Sequence, residues 1–221
     1  MPVDFAAMRQ SIVEGTPEKA CAVAKQALAE GMAPLEAIDR GFAPGMAEVG
    51  EHYAQRKMFL PDMLAAAEAM KAAMAILEPE LRRHGEQLTN AGTVVLGTTK
   101  GDIHEIGKTL VGTLLTANGF RVHDLGVDVA SEKFATSAQE LKADIVGVSA
   151  LLTTTMRGQR SVVEAMDKAG LRSSVKVIVG GAPVTRQWAE EIGADGYAKD
   201  AVSAVSLVKG MLEHRFALDR G

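Results

Sequence analysis

The periodicity of the apolar residues changes once along the chain, near Leu88-Thr89-Asn90-Ala91-Gly92, and this change constrains the fold more than any other feature. Before it, apolar residues recur at helical spacing. In Pro61–His84, for example, Met63, Leu64, Ala67, Met70, Met74 and Leu77 fall on one face. Helices are expected at Val3–Glu14, Pro17–Glu30, Pro34–Gln55 and Pro61–His84, three of which open on a proline, where a missing N–H costs nothing. Thr16 reads as an N-cap and Gly31 as a C-terminal stop. Apolar stripes this wide must bury against one another, so residues 1–88 are expected to form a four-helix bundle.

After the change, β-branched apolar runs alternate with amphipathic segments. Strands are expected at Thr93–Gly97, Phe120–Asp124, Asp144–Ser149, Val175–Gly180 and Gly196–Ala198. The helices between and after them are expected near Ile106–Asn118, Ala130–Lys142, Thr154–Ala169, Val184–Ile192 and Ala201–Arg215. Continuous apolar strands separated by helices imply a parallel sheet covered on both faces. Residues 89–221 therefore read as an α/β domain with a flavodoxin/Rossmann-like doubly wound sheet of five strands. Such a sheet binds ligands beyond the carboxyl ends of its strands.

Composition narrows the function. A single cysteine, Cys21, excludes a disulfide framework and a thiolate zinc site, and reads as a small buried residue of a helix. Net charge is −4 with no basic stripe, which argues against a nucleic-acid partner. The longest apolar runs, Thr93–Gly97 and Ile145–Leu152, are far shorter than the roughly 20 residues of a membrane helix. The start, Met1-Pro2-Val3-Asp4, lacks the basic and apolar regions of a secretory signal. The expectation is a cytoplasmic protein with no membrane partner.

The segment Gly97-Thr98-Thr99-Lys100-Gly101-Asp102-Ile103-His104-Glu105-Ile106-Gly107-Lys108-Thr109 joins the first strand to its helix, at the ligand-binding end of the sheet. It is no phosphate loop. Five residues instead of four separate Gly101 from Gly107-Lys108-Thr109, and Asp102 and Glu105 would repel a polyphosphate. Its glycines are also too widely spaced for a dinucleotide turn. What remains is Asp102-x-His104-x-x-Gly107. One imidazole nitrogen of His104 could bind a metal while Asp102 accepts the proton of the other. Gly107 would let a bulky ligand approach without a Cβ between. A single histidine serves as a metal site only when a macrocycle supplies the other ligands. On these residues alone, an exposed loop histidine paired with a neighbouring aspartate is the favoured reading.

Asp102-x-His104-x-x-Gly107, then Ser149-x-Leu151 about 42 residues on, then Gly180-Gly181 after the fourth strand, resembles the three-part signature of the cobalamin-binding domain. That domain occurs in methionine synthase, in cobalamin-dependent mutases and in the corrinoid proteins of methyltransferase systems. Upstream, Val49-Gly50-Glu51-His52-Tyr53, Phe59-Leu60-Pro61-Asp62, Ala65-Ala66-Ala67 and Met70 are similar to the helical cap that precedes it. The resemblance departs at Arg56-Lys57, where the family often has Gly-Glu. The two matches cover nearly the whole chain, leaving no room for a catalytic barrel or a DNA-binding domain.

The resemblance implies that His104 coordinates cobalt in place of the cofactor's own base, with Asp102 bonded to His104 and Ser149 completing the relay. Ser149, Leu151 and Thr153 would line a slot for the displaced nucleotide tail, and Gly180 and Gly181 would leave room for it. By itself, Gly180-Gly181 also reads as a plain strand-to-helix turn. Eight of the eleven methionines lie in residues 1–74, which suits both a movable surface over a corrin and gap-filling within the bundle. Met58 is the candidate to face the cofactor.

The function so implied is a methyl carrier, not itself an enzyme, whose cobalamin or related corrinoid alternates between cob(I)alamin and methylcobalamin. Its expected partners are a substrate-specific methyltransferase, a second methyltransferase with tetrahydrofolate or coenzyme M as acceptor, and a reductive activation protein. The helical cap would swing about Gly85–Gly92. A cobalamin-dependent sensor or regulatory protein is the alternative, and a mutase subunit is a weaker third reading.

Overall fold

The computed structural model describes residues 4–83 and 91–218. The chain divides into two compact units, between Thr89 and Asn90. The expected linker and hinge, Gly85–Gly92, fall mostly on residues outside those described.

The first unit is helical. Its elements are α1 (Phe5–Val13), α2 (Pro17–Ala29), α3 (Pro34–Ala37), a π-helical turn (Ile38–Phe42), α4 (Ala43–Ala54) and α5 (Leu60–Arg83). Because α3, the π turn and α4 run on without a break, they form one rod, and the unit packs as four rods. Helix α1 lies against α2, α4 and α5, and α2 against α5. Met8, Ile12, Phe42, Met46, Val49, Met63, Met70 and Leu77 are buried among them. Four methionines in this list fill the bundle interior, whereas Met58 is half-buried.

Helix ends follow local chemistry. Gly31, at φ +83°, donates to the Leu28 carbonyl at 3.0 Å, and Met32 donates to that of Ala27 at 3.0 Å. This pair of bonds closes α2 as the sequence implied. Thr16 stands at the N-cap position but makes no capping bond. Its hydroxyl turns back to the Glu14 carbonyl at 3.5 Å, because the tight turn through Gly15 directs it there. The π turn was not expected. Pro44 has no N–H to offer the Arg40 carbonyl one helical turn back, and its ring crowds that oxygen. The widened turn relieves both, with the Ala43 N–H bonding the Ile38 carbonyl five residues back.

The second unit is a five-stranded, wholly parallel sheet in the order β2-β1-β3-β4-β5. Its elements are β1 (Thr93–Thr98), α6 (Ile106–Ala117), β2 (Arg121–Asp124), α7 (Ser131–Glu140), β3 (Ile145–Ser149), α8 (Arg157–Lys168), β4 (Lys176–Gly180), α9 (Arg186–Glu191), β5 (Gly196–Ala198) and α10 (Ala201–Leu218). On one face Val95, Val146, Val148, Val177 and Val179 form a core with Phe134 of α7 and Val162, Val163 and Met166 of α8. On the other, α6 and α10 pack together, and α6 covers Leu96. This is the flavodoxin-like arrangement expected. After β1 the chain crosses to the edge strand β2 and returns to β3, so the connections leaving β1 and β3 diverge at the carboxyl edge and open a crevice there.

Candidate functional site

Thr98, Ser149, Gly180 and Ala198 are in register and form one row across the carboxyl edge of the sheet. The connection from β1 to α6 rises beside this row and carries Asp102 and His104. The Asp102 side chain is wholly buried, and four donors reach it. Oδ1 accepts the His104 N–H at 3.0 Å and lies 2.7 Å from His104 Nδ1. Oδ2 accepts the Leu151 N–H at 2.8 Å and the Thr155 hydroxyl at 2.6 Å. Thr155 is itself held by the turn it closes, through the Leu152 N–H at 3.3 Å.

Burial by itself would raise the Asp102 carboxyl. The bonds from Thr155, from the Leu151 and His104 N–H groups and from the imidazole outweigh it and hold the group well below the usual carboxylate range. An ionised carboxylate can only accept, so the Nδ1 of His104 carries the proton and donates it. The lone pair of the neutral imidazole is then on Nε2. The His104 side chain is 46% exposed, whereas Asp102 beneath it is 0% exposed. The fold thus anchors one end of the ring and presents the other.

Exposed apolar residues flank that ring along the chain, with the exposed Glu105 between them. Ile103 is 75% exposed and Ile106 87% exposed, and Leu151 and Leu152 are also open. Chains rarely leave several large aliphatic side chains uncovered without a ligand to cover them. Among the described residues, no group of three His, Cys, Asp or Glu could hold a metal ion. One imidazole nitrogen flanked by exposed apolar residues fits a metal that brings its other ligands with it in a large, partly apolar ring. A corrinoid is such a group.

The residues singled out from sequence fall as follows. Asp102, His104 and Leu151 meet directly. Gly107, in the first turn of α6, has open space where a Cβ would point. Ser149 ends β3, half-buried, and Thr153 is exposed in the following turn. A Cβ on Gly180 would lie 3.0 Å from the Ala198 carbonyl oxygen. Gly181, at φ +130°, could not carry one at all, because it would overlap the Ala150 backbone. Its identity is thus already fixed by the fold, as the plain-turn reading allowed. The relay expected to reach Ser149 runs instead to Thr155, whose turn folds back over the carboxylate. Sequence reasoning missed Thr155 together with the exposed Ile103 and Ile106. Lys108, just after Gly107, is buried and paired with Asp124 at the end of β2.

Comparison with known proteins points to the same cofactor. Two families, each described as a B12 binding domain, match residues 92–206 and residues 5–78. The trimethylamine corrinoid protein 2 of Methanosarcina mazei is 49% identical over 209 residues, covering 95% of this chain and 96% of that protein. A crystal structure of a cobalamin-binding protein from Desulfitobacterium hafniense superposes with a TM-score of 0.75 at 32% identity, covering 95% of this chain and 98% of that one. A methanol:cobalamin methyltransferase complex from Methanosarcina barkeri contains a chain that superposes with a TM-score of 0.84 at 28% identity, covering 95% of this chain and 79% of that one. No helix among the described residues is long and apolar enough to cross a membrane. The chain belongs to the cobalamin-binding corrinoid proteins of methyltransferase systems, and its cofactor is a corrinoid.

Proposed function

We propose that this protein is the methyl carrier of a methylamine methyltransferase system, receiving a methyl group from one methyltransferase and yielding it to a second. The observation that carries the reading is the His104–Asp102–Thr155 chain, which ends in a half-exposed imidazole flanked by exposed Ile103 and Ile106. The bound corrinoid supplies a cobalt centre able to take up and release a methyl group, chemistry that no side chain here could provide.

The protein's own residues govern how that centre is held. His104 Nε2 would hold the cobalt. Asp102, kept ionised, holds the proton on Nδ1 and makes Nε2 the better donor. Thr155 and the Leu151 N–H prevent the carboxylate from turning away. Ile103 and Ile106 would exclude water from around that nitrogen. Ser149, Leu151 and Thr153 would line the slot for the displaced nucleotide tail, Gly180 and Gly181 would leave room for it, and Gly107 would let the bulky ligand come close. Residues 1–88 would act as the helical cap and residues 89–221 as the corrinoid-holding domain. A reductive activation protein would return oxidised cofactor to service, and the system would operate in the cytoplasm.

The methylamine assignment draws on the relative named for trimethylamine. The sensor alternative gains no support from any feature of the site. The test is reconstitution. Corrinoid-loaded protein is incubated with trimethylamine, a trimethylamine methyltransferase, and a second methyltransferase with coenzyme M or tetrahydrofolate. Methylated acceptor should form and should fall to background when this chain is omitted. Transfer that continues undiminished without the chain would overturn the carrier reading.

A further inference from the structure

Asp128, in the connection between β2 and α7, adopts φ +56°, a left-handed conformation that residues other than glycine seldom take. Glycine would sit there without strain, so an aspartate implies a use for its carboxylate. That use is visible. Asp128 Oδ1 accepts the Gly101 N–H at 2.7 Å, and the Asp128 N–H donates to the Asp102 carbonyl at 2.9 Å. One residue thus grips the Gly101-Asp102 turn at two successive positions. Around it the Val129 N–H donates to the Thr98 carbonyl at 3.0 Å, and the Thr98 N–H to the Gly126 carbonyl at 3.0 Å. The Lys100 ammonium, 3.0 Å from Asp128 Oδ2, lies in the open and adds little.

Asp102 is therefore fixed twice, its side chain by Leu151 and Thr155 and its backbone by Asp128. We infer that Asp128 is a positioning residue for His104: by clamping the Gly101-Asp102 turn it sets where the Asp102 carboxylate stands, and so how the His104 imidazole is aimed. The inference rests on the reading of His104 as cobalt ligand. Asp128 would touch neither cofactor nor ligand.

The test uses full-length protein labelled with [15N]histidine and loaded with cob(II)alamin. Electron paramagnetic resonance then separates cobalt bound by a protein imidazole, with doublet splitting, from cobalt bound by the cofactor's own base, with triplet splitting. Asp128→Gly removes the carboxylate while relieving the backbone, so it should fold, and its histidine-bound fraction should drop, with corrinoid affinity weakened roughly tenfold. Asp128→Asn keeps an acceptor for Gly101 and tolerates the same φ, so it should resemble wild type. Asp195→Ala serves as control, since Asp195 precedes β5 at the opposite edge of the sheet. It should retain full histidine ligation.

Wild-type ligation in Asp128→Gly would overturn the inference, as would an equal loss in Asp195→Ala or in Asp128→Asn. If wild type itself shows only triplet splitting, the failure lies in the reading of His104 as ligand, and this inference falls with it.

Discussion

The charge state of Asp102 decides what His104 can do. With the carboxyl held ionised by four donors, the imidazole has one available tautomer and one free lone pair. Asp102→Asn would set an amide with no net charge against Nδ1, and corrinoid affinity should weaken about 10- to 100-fold in a visible-absorbance titration. Thr155→Val keeps the shape but removes one of the two donors to Oδ2, leaving the Leu151 N–H, and should weaken binding in the same direction by a smaller factor. Affinity unchanged in both variants would show that the chain of bonds beneath His104 has no part in binding. Asp102 and His104 were legible in the sequence because they stand two residues apart. Thr155 was not, since it lies 53 residues from the carboxylate it bonds. Four hydroxyl residues, Ser149, Thr153, Thr154 and Thr155, follow in or after β3, and spacing alone cannot say which turns inward. Nor can a sequence reveal that Ile103 and Ile106 stay uncovered, because their residue types imply the reverse.

Among the elements, proline and glycine marked helix ends well because their effect is local. Pro17, Pro34 and Gly31 each stand where their backbone chemistry puts them. Strands and helices of the sheet unit also fall within a few residues of their expected bounds. The π turn was missed, although Pro44 inside an expected helix was its signal. Thr154–Met156, expected as the start of α8, belong instead to the turn that folds over Asp102. At the other edge of the sheet, Asp195 ties β4 to the approach to β5. Burial raises its carboxyl, but the Val177 N–H at 2.8 Å, Arg172 and Lys176 together lower it. Asp195→Ala should destabilise the protein by about 2 kcal/mol at neutral pH, measured by urea unfolding. Since the folded value is depressed, the contribution is complete above the ordinary carboxylate range of roughly 4 and is lost as pH falls through the depressed value. Wild type and variant should therefore converge in stability only in acid. A difference that instead grew below that range would contradict the assignment.

For the whole molecule, the chain divides into two compact units, each burying apolar residues of its own, and apolar spacing records which surfaces must be buried. What spacing does not record is chemistry at the carboxyl edge, which depends on loops brought together from different strands. A ligand that binds the folded protein alone must stabilise it. Adding corrinoid at about 100 times its dissociation constant should contribute about 2.7 kcal/mol, raising the melting midpoint by several degrees in calorimetry. In His104→Ala the same corrinoid concentration should give a smaller shift, and an undiminished one would mean that His104 contributes nothing to holding the cofactor. The coordinate bond itself is tested most directly in protein labelled with [15N]histidine and loaded with cob(II)alamin. Wild type should show cobalt hyperfine lines split into doublets, and His104→Ala should lose them. Doublets that persist in His104→Ala would contradict the central claim that this imidazole holds the metal.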